Sequence, residues 1–170
     1  GPGSRRTFNG GDDDDATAGV PDVMRGMTEI VRLLTEPGDA VIVAPPIYPP
    51  FYGFTRSATR TILDAPLNPQ GRLDLDTLDA TFADATRAGR PAVFLLSNPH
   101  NPTGTVHTRH ELTRLAALAH HHGVRVISDE IHAPLVLPGA TFTPYLTVPG
   151  TETAFALVSA SKGWNLAGLK

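Results

Sequence analysis

Five short apolar runs, separated by stretches with helical spacing, constrain the fold of this 170-residue chain more than anything else in it. The runs are Ala40 to Ala44, Arg60 to Leu63, Ala92 to Leu96, Val124 to Ser128 and Ala154 to Val158. Before the first of them, Pro21 to Leu34 reads as a helix. Pro21 suits a first turn, Asp22 lies near the positive end, and Val23, Met27, Ile30, Val31 and Leu34 share one face. A second helix is expected from Asp76 towards Gly89, carrying Leu78, Phe82 and Ala85. A third opens at Thr108-Arg109-His110-Glu111, a capping-box spacing, and runs through Leu112, Leu115 and Leu118 to Gly123. Strands that alternate with helices predict an α/β fold of three layers, a mostly parallel sheet with helices on both faces.

Composition narrows the function classes. Hydrophobic residues make up 41% and charged residues 18%, the balance of an ordinary soluble globular protein. The net charge is −3 without a basic block, so no nucleic-acid partner is expected. The absence of cysteine rules out a disulfide framework and a thiolate nucleophile and suits a cytoplasmic setting. No apolar run approaches the ~18 residues of a membrane span. Gly1-Pro2-Gly3-Ser4 resembles a tag remnant, and Asp12 to Asp15 continue an acidic lead-in. Residues 1–16 are therefore set apart, and 17–170 are read as one folded domain. His107, His110 and His120-His121-His122 do not predict a metal centre. Adjacent histidines on a helix point in different directions, and no carboxylate stands at a ligand spacing.

The chemistry gathers where apolar runs end. Ala92 to Leu96 breaks into Ser97-Asn98-Pro99-His100-Asn101-Pro102-Thr103-Gly104, where each proline biases the preceding asparagine away from helix. Val124 to Ser128 ends in Asp129-Glu130-Ile131-His132. Ala154 to Val158 leads into Ser159-Ala160-Ser161-Lys162. Burial would lower the pKa of a lysine there and expose a neutral amine able to form an imine. Ser159 and Ser161 offer hydroxyls to an anion such as phosphate. Each residue alone has a plainer reading: Lys162 as a surface lysine, Asp129 as a cap, Asn101 as an Asn-Pro turn, His132 as a packed imidazole. Ligands of open α/β sheets bind outside the carboxyl ends of the strands, and three successive ends here offer an amide, a carboxylate and an amine.

These three motifs, with Pro45-Pro46-Ile47-Tyr48-Pro49-Pro50-Phe51, resemble the fold-type I pyridoxal-phosphate enzymes of the class I/II aminotransferase superfamily. The Asp-Glu-Ile-His wording is most similar to the cystathionine β-lyase-like branch. The resemblance runs from about Thr17 to Lys170 and implies pyridoxal 5′-phosphate as cofactor, an amino-acid substrate and a homodimer. It implies that Lys162 carries the cofactor as an imine and moves the substrate's α-proton. Asp129 would face the pyridine nitrogen, Asn101 and His132 the phenolic oxygen, and Tyr48 the ring face. Gly19 and Val20, with Ser159 and Lys170, would hold the phosphate, although Pro21 has no N–H to give. Lys170 stands where many relatives have arginine and keeps the charge without the bidentate fork.

Both C–S β-lyase and aminotransferase activity are compatible with these residues. The resemblance further implies that 17–170 is a partial large domain, without the small domain and the substrate-gripping arginine of the family. A non-catalytic fragment is accordingly the rival to an enzyme.

Overall fold

The computed structural model describes residues 22–159. Its centre is a five-stranded sheet formed by β1 (Ala40–Val43), β2 (Thr61–Asp64), β3 (Ala92–Ser97), β4 (Arg125–Asp129) and β5 (Phe155–Leu157). The spatial order is β2-β1-β3-β4-β5, and every described pairing is parallel. Parallel neighbours need crossover connections; α2 (Pro50–Ser57), α3 (Leu75–Ala85) and α4 (Arg109–His122) lie between successive strands and supply them, while α1 (Val23–Leu34) precedes β1.

Strand alternation separates two cores. Ile42, Phe94, Leu96 and Val126 face one way and pack with Leu78 and Phe82 of α3 and Leu112 and Leu115 of α4. Val41, Val43, Val93, Leu95 and Ile127 face the other way, against Met27 and Val31 of α1 and Phe51 of α2. The three layers expected from the sequence are therefore present. β1 and β3 are buried along their whole lengths because helices cover both faces.

The caps explain where the helices begin and end. Asp22 caps α1 by accepting from the Met24 N–H at 3.1 Å, so the helix starts at Val23. Asp74, rather than Asp76, opens α3 by accepting from the Thr77 N–H. That helix ends at Ala85, short of the expected Gly89. A separate turn, Arg87–Gly89, follows with Ala88 at φ 59°. Thr108 and Glu111 form the expected capping box, and Gly123 closes α4 at φ 70°. Helix α2 is not among the elements expected from the sequence. The segment is short and proline-rich, but Pro50 occupies a first helical position, where its missing N–H costs nothing.

Two ion pairs tie the layers at the sheet's margins. Asp39, just before β1, pairs with Arg90, just before β3, at 2.7 Å. Burial opposes ionisation of the Asp39 carboxyl, but the Glu36 N–H and the Arg90 guanidinium together hold it below the usual carboxylate range. Arg72 meets Glu111 at 2.6 Å and also donates to the Val106 carbonyl, pinning the loop before α3 to the start of α4. The Arg72 hydrogen bond is the main cause that brings the Glu111 pKa down to about 2.

Candidate functional site

The carboxyl ends of β3 and β4 lie side by side, with Ser97 in register with Asp129. Asp129 is the last residue of β4 rather than the first residue beyond it, and it pairs on its other side with Leu157 of β5. It is buried, and its Oδ1 accepts from the Ile131 N–H at 3.2 Å, which fixes the chain's exit from the strand. The Asn98 N–H reaches across to the Asp129 carbonyl at 2.9 Å. The turn after β3 is thus attached to β4 at the acid itself.

That turn carries Asn101. The Ser97 hydroxyl accepts from the Asn101 backbone N–H at 3.0 Å and donates to the Pro99 carbonyl at 3.1 Å. The Asn98–Pro99 and Asn101–Pro102 bonds are both cis. The Asn101 side-chain amide lies 3.5 Å from His132 Nε2, at the outer limit of hydrogen bonding. His132 is carried by the turn that the Ala133 N–H closes onto the Glu130 carbonyl at 3.0 Å, just before the single helical turn Ala133–Leu135. Three residues singled out from the sequence therefore stand at or just beyond two adjacent strand ends: Asp129 closes β4, Asn101 lies in the turn after β3, and His132 lies beside Asn101.

The other candidates divide. Tyr48 stands in the loop after β1, 47% exposed, with its ring edge-on to Phe51 at 6.4 Å. Ser159 is partly buried, two residues past the end of β5. Gly19, Val20, Lys162 and Lys170 lie outside the described residues, as does the expected helix start at Pro21.

Two buried histidines support the turn from beneath, and neither has a role legible from the sequence. His100 bonds the Ala44 carbonyl through Nε2 at 3.0 Å and Thr103 Oγ1 through Nδ1 at 2.9 Å. It therefore joins the end of β1 to the Asn101 turn. His107 donates from Nε2 to the Ser97 carbonyl at 2.9 Å, while its buried Nδ1 has no partner. Ring nitrogens arranged in this way describe a neutral imidazole. Burial depresses both pKa values, that of His107 to about 4. A small cavity of about 10 Å³ touches Ser97 and His100, room for one water at most.

The depressed imidazole gives a pH prediction. Between about 6.5 and 4 the unfolded chain takes up a proton at residue 107 that the folded chain refuses. Stability therefore falls as pH falls through that window, by up to ~1.4 kcal/mol per pH unit for one proton. Thermal unfolding between pH 7 and 4.5 should show this slope, and His107→Gln should reduce it, leaving the smaller part that buried His100 contributes. An equal slope in both proteins would remove His107 as its source.

Among the described residues, no group of three or more histidine, cysteine or acidic side chains has the arrangement of a metal site. No described helix is long and apolar enough to cross a membrane.

The model of the family "Aminotransferase class I and II" matches residues 21–170. The chain belongs to the class I and II aminotransferase family. Within that family it is 61% identical, over 91% of its length, to a Mycobacterium leprae protein provisionally named cystathionine β-lyase. It is 36% identical, over 88% of its length, to the cystathionine β-lyase PatB of Bacillus subtilis. In each case it spans 39% of the relative's length. Cystalysin from Treponema denticola, whose crystal structure contains pyridoxal 5′-phosphate, superposes with a TM-score of 0.80 at 27% identity. That likeness covers 87% of this chain and 38% of cystalysin. The family membership agrees with the parallel five-stranded sheet and its covering helices.

Proposed function

We propose that this chain is the pyridoxal-phosphate-binding core of a C–S β-lyase that acts on amino acids, of the cystathionine β-lyase kind. The observation that carries the reading is that two adjacent strand ends bring an amide and an imidazole, from Asn101 and His132, to 3.5 Å of each other, with the Asp129 carboxylate at the end of β4. This donor set fits the cofactor, which needs an acid for its ring nitrogen and donors for its phenolic oxygen. When bound, pyridoxal phosphate supplies an electron sink for the carbanion left by loss of a substrate's α-proton.

The chain's own residues divide the remaining work. Asp129, buried and fixed by the Ile131 N–H, keeps the ring nitrogen protonated. Asn101 and His132 orient the ring through its phenolic oxygen, and Tyr48 covers a ring face. Gly19 and Val20, with Ser159 and Lys170, would hold the phosphate. Lys162 would link the cofactor to the chain and take up the substrate's α-proton, and the products of a β-lyase would be a thiol, a 2-oxo acid and ammonia. The protein acts in the cytoplasm as a homodimer, and a monomer mass by light scattering at micromolar concentration would remove the dimer.

A second reading, aminotransferase, is favoured by the family match itself. Both activities draw on the same residues and diverge only after proton removal. The full-length protein supplied with cystathionine should release a thiol, pyruvate and ammonia without an added 2-oxo acid. Amino transfer to a 2-oxo acid with no thiol release would move the assignment to the aminotransferases.

A further inference from the structure

Glu130 is the most heavily bonded side chain near the site, and the proposed function gives it no role. It lies directly beyond β4, and 3% of its surface is exposed. Its Oε1 accepts from the Tyr145 N–H at 2.8 Å, the Ser128 hydroxyl at 3.0 Å and the Asn98 amide at 3.2 Å. Asn98, itself fully buried, also donates to the Thr143 carbonyl at 3.0 Å. The Glu130 backbone N–H reaches the Leu157 carbonyl at 2.8 Å. One residue thus joins the ends of β3, β4 and β5 and the segment around Tyr145. It belongs to neither apolar core. Its bonds act at the strand ends, where Asn101 stands three residues beyond Asn98 and Asp129 is the adjacent residue.

We propose that Glu130 is a positioning residue, whose buried carboxylate locks the turn bearing Asn101 to the strand end bearing Asp129. A side chain that satisfies several buried donors at once leaves them little alternative, because a donor stranded away from water is costly. Asp129 ends β4 and Asn101 lies in the turn after β3, and a ring that touches both requires their separation to be fixed. The bond between Asn98 and Glu130 runs directly between those two strand ends. The catalytic part of this proposal rests on the proposed lyase function. The mechanical link does not.

Hydrogen exchange on the 170-residue chain tests the link without any cofactor. In Glu130→Ala and Glu130→Asp, amides of residues 97–105 and 143–147 should exchange about tenfold faster, while α3 and α4 keep their parental rates. Glu130→Gln should stay near the parent, because its amide oxygen reaches as far and accepts the same donors. Should Glu130→Ala fail to fold, Glu130→Asp against Glu130→Gln provides the same contrast. Unchanged exchange over 97–105 in Glu130→Asp, or an equal acceleration in α3 and α4, would overturn the lock.

The catalytic part is read in the full-length protein with pyridoxal phosphate, from the pH midpoint of its absorbance change. Glu130→Asp should shift that midpoint and Glu130→Gln should not. An unshifted midpoint in Glu130→Asp overturns the positioning role. A parent protein with no bound-cofactor absorbance overturns the function and this catalytic part together, while the exchange result stands by itself.

Discussion

Asp129→Asn should lower the turnover of the full-length enzyme about 100-fold or more, roughly 2.7 kcal/mol on the barrier, while cofactor is retained. The asymmetry comes from the role of the carboxylate. A neutral amide occupies the same volume at the end of β4 and can accept the Ile131 N–H that Asp129 accepts now, so the fold has little reason to change. It cannot keep a ring nitrogen protonated, so the electron sink weakens when carbanion charge develops. In the proposed site, neither the phosphate contacts nor the link to Lys162 would depend on that proton. Steady-state kinetics with absorbance of the bound cofactor separate the two effects. Turnover equal to the parent's would take Asp129 out of its assigned role.

Phe94→Ala should destabilise the fold by about 3–5 kcal/mol, a large part of the ~5–15 kcal/mol typical of a domain. Phe94 is fully buried on β3, which pairs with both β1 and β4. Its ring stands 5.6 Å from that of Phe82 on α3, inclined at 61°. Truncation therefore removes an aromatic contact and opens a cavity between the sheet and α3, where rigid strand backbone cannot close in. Urea unfolding followed by circular dichroism measures the change. A loss below about 1 kcal/mol would mean that the α3–α4 layer repacks freely and that this core is looser than its burial implies.

The sequence makes the layer order legible because parallel strands, buried on both faces, stay apolar throughout. β1 and β3 show this most clearly. Caps are legible too, since Thr108 and Glu111 satisfy each other within four residues of chain. Boundaries set by tertiary pairing are less so: β4 runs one residue further than its apolar run because Asp129 pairs with Ser97 and Leu157. Helix α2 is hidden by prolines that punctuate a turn in one context and open a helix in another. Asn101, Asp129 and His132 stand out in the sequence because strand ends carrying polar motifs are places where ligands bind. Glu130 and His107 do not, since their meaning lies chiefly in distant partners, Tyr145 and Asn98 for Glu130 and Ser97 for His107. An acid directly beyond a buried central strand was the available signal for Glu130. His107 offered none beyond its place before a cap. Gly19, Val20, Lys162 and Lys170 rest on sequence alone, because they lie outside the described residues.

Of these, Lys162 matters most to the proposed chemistry, and only one other lysine, Lys170, competes with it in the chain. Protein incubated with pyridoxal phosphate, treated with borohydride and digested should yield a pyridoxyl-phosphate mass on the peptide containing Lys162. Lys162→Ala should lose that adduct while still retaining some cofactor through the phosphate-holding residues. An adduct mapped to Lys170, or an equal adduct in Lys162→Ala, would contradict the assignment of Lys162 as the residue that carries the cofactor.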